Sequence, residues 1–192
     1  MTNAKDLYLD LMKRSLTNWI YGPDEVVDYP PRGFLRKIFA RACAKRGIRL
    51  VFPRPFDPSR RKEGRDWPPT AHTMIGITGL DNLQTCIEDV LAKGVPGDCI
   101  ETGVWRGGAS IFMRAVLKAH GVTDRRVWVA DSFEGLPPPN PVKYPQDRGV
   151  DLSKEPELAI PLEEVKANFE RYGLLDEIVR VDWGRAFWRR SS

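Results

Sequence analysis

The stretch CIETGVWRGGASIFM, Cys99 to Met113, places an acid, Glu101, inside an otherwise apolar strand pattern. Three glycines, Gly103, Gly107 and Gly108, follow it before a helical pattern begins. A second acid, Asp131, closes the next apolar run, VWVA. A carboxylate among apolar residues costs free energy unless it is paired or faces a cavity, and a ligand ammonium would supply the partner. Glycines let backbone N–H groups come close to such a ligand. Asp131 stands near the offset from Gly103 at which a βαβ unit carries its ribose-binding acid.

Two cofactor classes suit a strand, a glycine turn and a helix. A dinucleotide wants G-x-G-x-x-G, which aims a helix N-terminus at its pyrophosphate. The run Gly103-Val-Trp-Arg-Gly107-Gly108 misses that spacing. S-adenosylmethionine lacks a phosphate but has an amino-acid end and a ribose, which suit Glu101 and Asp131. An acid beside a tight turn for purely structural reasons is the competing explanation at this level.

The surrounding pattern supplies the elements that must position these residues. Leu7, Leu11, Leu16, Trp19 and Ile20 recur near helical spacing and predict an opening helix. A basic helix is expected from Gly33 to Gly47, with Phe34, Leu35, Ile38, Phe39 and Ala42 turned to a core. Tyr21 to Arg32 reads as loop, Ile48 to Phe52 as a short strand, and Pro53 to Pro69 as extended and mobile. A helix follows from about Leu80 to Lys93, capped by Asp81. Then come a buried strand from Cys99 to Val104, a helix from Gly108 to Ala119 and a strand from Arg126 to Ala130. A proline-rich mobile loop, a helix from Leu162 to Tyr172 and a strand from Ile178 to Val181 complete the pattern. Alternating helices and strands predict an α/β fold with a parallel sheet.

At 192 residues, 42% hydrophobic and 29% charged, the chain suits one soluble globular domain. Its net charge of +4 lacks the long basic stripe of a nucleic-acid binder. The densest cluster, Arg60, Arg61, Lys62 and Arg65, reads as a solvated loop. Cys43, Cys86 and Cys99 show no metal or disulfide spacing and are expected as buried free thiols. No apolar run reaches membrane-spanning length and no signal-peptide pattern opens the chain, so a cytoplasmic protein is expected, with neither nucleic acid nor membrane as partner.

The run TAHTMIG, then LDNLQTCIEDVLAKGVPGDCIETGVWRGGASIFMRAVL, then VWVADSFEGLP resembles the macrocin O-methyltransferase family of TylF/MycF type from Asp66 to about Asp176. The resemblance implies a Rossmann-like class I methyltransferase fold and metal-assisted methylation of a sugar hydroxyl on a natural product or glycan. It implies that Thr73 and Met74 line S-adenosylmethionine and that Glu101, Thr102, Gly103, Val104 and Trp105 wrap its methionine part. Asp131 would take the ribose, with Ser132, Phe133, Glu134 and Gly135 beside the adenine. Residues 1–69 would then be an N-terminal helical segment with a Pro/Arg-rich loop, and residues 70–192 a partial cofactor-binding domain.

The chain departs from the family pattern in two places. Pro161 stands where a polar residue usually precedes the helix LEEVKANF, which removes one side-chain contact to adenine. The family continues through a DGD motif and a paired Asp-Asp that hold Mg²⁺. This chain has neither, and its later acids are Asp176, Glu177 and Asp182 alone. The ending IVRVDWGRAFWRR resembles the family's last strand, which an internal deletion would explain most simply. A truncated parallel sheet is therefore expected, the last segment filling the third-strand place and the first strand left with an open edge. Catalytic activity is expected to be lost or reduced, a nucleoside-binding or partner-binding protein being the alternative. Partners would be a small sugar-containing acceptor, a further copy of the chain or a full-length paralogue. His72 could serve as base, but a sugar hydroxyl normally needs metal help, so a positioning or core role is preferred. His120 should complement a helix end. Trp67 and Trp105 could stack on a ligand or simply pack.

Overall fold

The computed structural model describes residues 3–183. Helix α5 (Gly108–Ala119) is the element around which the rest assembles, its residues from Gly108 to Leu117 all buried. On it pack α1 (Ala4–Leu16) through Leu9, Met12 and Leu16, and α4 (Gly76–Ala92) through Leu80 and Ile87. The same core takes in Val165 and Phe169 of α6 (Leu162–Arg171), with Val127 and Val129 of the sheet. The α5 sequence, GASIFMRAVLKA, is apolar almost all round, as a helix covered on every side must be.

The central sheet has three parallel strands in the order β3 (Cys99–Thr102), β4 (Val127–Asp131), β5 (Val179–Trp183). The last segment thus fills the third-strand place, as expected, and the α/β class holds. Residues 184–192, the rest of the ending read as the family's last strand, lie outside the described residues. The strand expected to be buried, β3, is an outer one with no described strand beyond it, and Ile100, on the face opposite Glu101, is 58% exposed.

Several other expectations give way to tertiary contacts. The loop from Tyr21 to Arg32 contains β1 (Val26–Asp28), which pairs antiparallel with β2 (Val51–Pro53). Helix α2 (Phe34–Ala44) forms where expected, but its apolar residues face no core: Phe34 and Leu35 are 77% and 78% exposed. Asp81 does not start α4; the helix begins a turn earlier, and Asp81 pairs with Lys13 of α1 at 2.5 Å. Of the thiols expected to be buried, Cys86 is exposed, and Cys43 and Cys99 are half-buried. The segment from Leu136 to Pro156 carries short 3-10 turns at Pro145–Asp147 and Leu152–Lys154. Among the described residues no helix is long and apolar enough to cross a membrane.

The largest correction concerns the arginine-rich loop. It contains α3 (Pro58–Lys62), and Arg61 is 2% exposed. Its guanidinium donates to Glu25 Oε2 at 2.8 Å, to Asp66 Oδ2 at 2.6 Å and to the Thr17 carbonyl at 2.9 Å. Glu25 Oε1 in turn accepts from Asn18 and Thr70. Burial pushes the Glu25 carboxyl up, but bonds from Arg61, Asn18 and Thr70 outweigh it and hold the group below its ordinary value. A loop that looks solvated is therefore bolted to the end of α1.

Two outcomes follow. Arg61→Leu leaves Glu25 and Asp66 without their cation, at a cost of about 3–5 kcal/mol, to be read from urea unfolding. Ile100→Lys places a charge on the exposed face of the outer strand β3 and should lower self-association in sedimentation velocity without lowering the melting temperature. Unchanged association would show that this face is not the sticky surface.

Candidate functional site

Strands β3 and β4 run parallel in the register Glu101 against Val129 and Thr102 against Ala130, so Glu101 and Asp131 come to the same sheet end. The chain leaves β3 through Gly103, whose N–H donates to the Ala130 carbonyl at 3.0 Å. Gly103 has a φ of +85°, a conformation side chains resist, and nothing lies within 4 Å of where its Cβ would stand. The outer face of the turn is thus open to an incoming molecule.

Glu101 is partly buried, and its Oε2 accepts from the Ser110 backbone N–H at 2.9 Å and from the Ser110 hydroxyl. Burial pushes its carboxyl up to about 7; the Ser110 bonds oppose this, and the nearby Asp131 charge adds to it. Asp131 Oδ2 accepts from the Val104 N–H at 2.6 Å and Oδ1 from the Phe133 N–H at 3.0 Å. Each oxygen accepts one backbone bond; Oδ1 also lies 3.4 Å from the Ser132 hydroxyl, and Oδ2 keeps a lone pair for a ligand hydroxyl. Trp105 and Phe133 have φ of 50° and 56°, left-handed values that non-glycine residues rarely adopt. One sits in each of the loops that the acids anchor, and such strain gathers at ligand sites.

The remaining predicted residues surround this turn. Thr73 is buried, and its backbone belongs to the segment pressed against Gly108. Thr102 is exposed at the end of β3, and Val104 is 3% exposed beneath the turn. The Ser132 hydroxyl donates to the Gly135 carbonyl and accepts from the Glu134 N–H, closing the loop after β4. Met74 and Trp105 line a cavity of about 350 Å³ whose wall also includes Val27, Arg54, Trp67 and Arg106. Glu101 and Asp131 are not part of its lining.

His72 is not placed as a free base. Its Nδ1 lies 2.8 Å from the Tyr172 hydroxyl, and burial, with the charges of Arg171 and Arg106, lowers the imidazole to about 4. Its carbonyl accepts from the Gly108 N–H at 2.9 Å, so it positions the turn. His120 ends α5 with Nε2 3.0 Å from Glu88 Oε1, at the expected helix terminus but with a side-chain partner on α4. Trp105 Nε1 donates to the Glu157 carbonyl, and Trp67 is half exposed at the cavity rim.

Arg106 and Ser110 escaped the sequence reading. The Arg106 guanidinium stands 4.3 Å from the Trp105 ring centre and donates to the carbonyls of Pro69 and Ala71 at 2.8 and 2.9 Å. Its backbone carbonyl accepts from Asn168 of α6. A serine two residues into a helix that follows a strand acid was the one available signal. Among the described residues no three His, Cys, Asp or Glu side chains converge as metal ligands. The described residues thus do not fit a Mg²⁺ site.

The family described as Macrocin-O-methyltransferase (TylF) matches residues 5–188. The chain is 55% identical over 179 residues to the 8-demethyl-8-(2,3-dimethoxy-alpha-L-rhamnosyl)-tetracenomycin-C 4'-O-methyltransferase of Streptomyces olivaceus, covering 93% of this chain and 60% of that protein. It is 44% identical to the mycinamicin III 3''-O-methyltransferase of Micromonospora griseorubida, covering 91% of this chain and 62% of the relative. The solved O-methyltransferase NovP superposes with a TM-score of 0.73 at 44% identity, over 92% of this chain and 63% of that one. The chain thus spans about three fifths of the length of these relatives.

An unfolded Glu101 loses its proton near 4.5 and the folded one near 7, so between these values the folded state holds the extra proton. Stability contributed by this group falls as pH rises through that window, by on the order of 3 kcal/mol in full. Glu101→Gln keeps the Ser110 bonds without the charge. It should melt higher than the parent at pH 8, with the difference vanishing near pH 4.5 in circular dichroism melts.

Proposed function

Because the chain belongs to the macrocin-O-methyltransferase (TylF) family, we propose that it binds S-adenosylmethionine at the Gly103 turn and presents a sugar hydroxyl to it. The carrying observation is the convergence of Glu101 and Asp131 at one sheet end beside a turn whose outer face is open. Glu101 takes the ammonium, and Asp131 takes the ribose hydroxyls. Thr73, Met74, Thr102, Gly103, Val104 and Trp105 hold the methionine end, and Ser132, Phe133, Glu134 and Gly135 flank the adenine. When bound, the cofactor supplies an electrophilic methyl group.

The acceptor belongs in the cavity bordered by Met74 and Trp105, whose volume is at the lower end of the roughly 300–1,000 Å³ of small-molecule sites. Residues 1–69 contribute Val27, Arg54 and Trp67 to its wall, and residues 70–192 contribute Met74, Trp105 and Arg106. The two parts act as acceptor wall and cofactor platform. Methyl transfer by this chain is slow. Among the described residues His72 is tied to Tyr172 with its basicity lowered, so it is a poor acceptor for a hydroxyl proton. The same observation favours a second role, nucleoside binding without turnover.

Calorimetry with S-adenosylhomocysteine tests the cofactor site. Affinity should rise about tenfold from pH 6 to pH 8 as Glu101 ionises to meet the ammonium, while adenosine, which lacks the amine, should show no such rise. Absence of binding at every pH defeats the proposal. Binding without product from radiolabelled methyl donor and a glycosylated acceptor supports the second role.

A further inference from the structure

Trp67 and Arg54 stand in two cavities at once. One is the cavity assigned above to the acceptor; the other, of about 290 Å³, is lined also by Arg60, Arg65, Asp57 and Asp66. Both acids there already accept hydrogen bonds through one oxygen. Asp57 caps α3, accepting from the Ser59 and Arg60 N–H groups, and Asp66 accepts from Arg61. The three arginines are far from saturated. Arg54 donates to the Trp67 carbonyl, Arg60 to the Arg65 carbonyl at 3.0 Å, and Arg65 Nε lies 3.1 Å from Glu63 in an exposed pair. A guanidinium carries five N–H donors in a planar fork, so the cavity holds a surplus of donors beside a half-exposed indole.

We propose that this second cavity binds an anionic group, a carboxylate or a phosphate, on the part of the acceptor remote from the methylated sugar. Two oxygens of a carboxylate or a phosphate match a guanidinium fork, and the anion can bridge Arg60 and Arg65. Trp67 forms the shared wall, so a ligand lying across it has its sugar on the Met74 side and its charge on the Arg60 side. The assignment rests on the acceptor cavity of the proposed function but concerns a different part of the ligand.

The test is a fluorescence titration of the full chain with phenyl glucoside, para-carboxyphenyl glucoside and para-phosphonophenyl glucoside. An anionic probe should bind about tenfold more tightly than the neutral one, and the advantage should shrink at high salt. Comparing the two anionic probes tells carboxylate from phosphate. The advantage should disappear in Arg60→Gln/Arg65→Gln and persist in Arg60→Lys/Arg65→Lys, which keeps the charges and controls for folding. Equal affinity for all three probes, no binding of any, or an advantage that survives the Gln pair overturns the inference. S-adenosylhomocysteine binding on the same samples reports separately: intact cofactor binding without charge preference defeats only the anion site. Charge preference without cofactor binding defeats the methyl-transfer proposal and leaves the anion site standing.

Discussion

The contact between Gly108 and the backbone of His72 governs the site. The Gly108 N–H donates to the His72 carbonyl, and a Cβ at Gly108 would stand 2.4 Å from that oxygen. No side chain can be accommodated there without moving backbone, so α5 begins pressed against the segment that links the N-terminal region to α4. Arg106 repeats the link from the other side by donating to Pro69 and Ala71. The turn after β3, the cavity wall and the N-terminal region are thereby held as one unit. If this contact loosened, Trp67 and Met74 would no longer face Trp105 across a common cavity.

Buried Glu25 and partly buried Glu101 meet the same cost differently. Glu25 is enclosed, but Arg61 and two neutral donors repay its desolvation, so it remains charged and joins loops together. Glu101 has Ser110 alone as hydrogen-bond donor among the described residues, so burial, with Asp131 nearby, raises its carboxyl to about 7 and leaves it about half ionised at pH 7. A paired buried charge serves as a fastener, whereas one lacking a counter-ion is poised to receive a cation. Glu25 lies in a segment that reads as loop and Glu101 in an apolar strand pattern, and the difference in charge comes from what the fold brings beside them.

The strand–turn–helix around Gly103 and the acid after VWVA were legible because they are local. Alternating apolar runs and glycines specify the βαβ unit within a few tens of residues, and the parallel pairing of β3 with β4 carries both acids to one end. The Arg61 network was not legible, since its partners Glu25 and Thr17 lie far away in the chain. A run of Arg and Lys between prolines looks the same whether water or Glu25 satisfies it. The reverse error occurred at α2, where Phe34, Leu35, Ile38 and Phe39 keep perfect helical spacing but meet no core. Periodicity reports which face is apolar and not whether anything covers it.

From its residues alone the chain specified an α/β fold, a strand, glycine turn and helix followed by a second acid, and the family that the comparisons show, because these depend on patterns between near neighbours. Tertiary structure decided which charges are buried, that His72 bonds Tyr172 and positions the turn, and that Trp67 lines two cavities. Those outcomes depend on contacts between segments distant in the chain. Such contacts set burial and basicity, and no spacing within a single stretch encodes them.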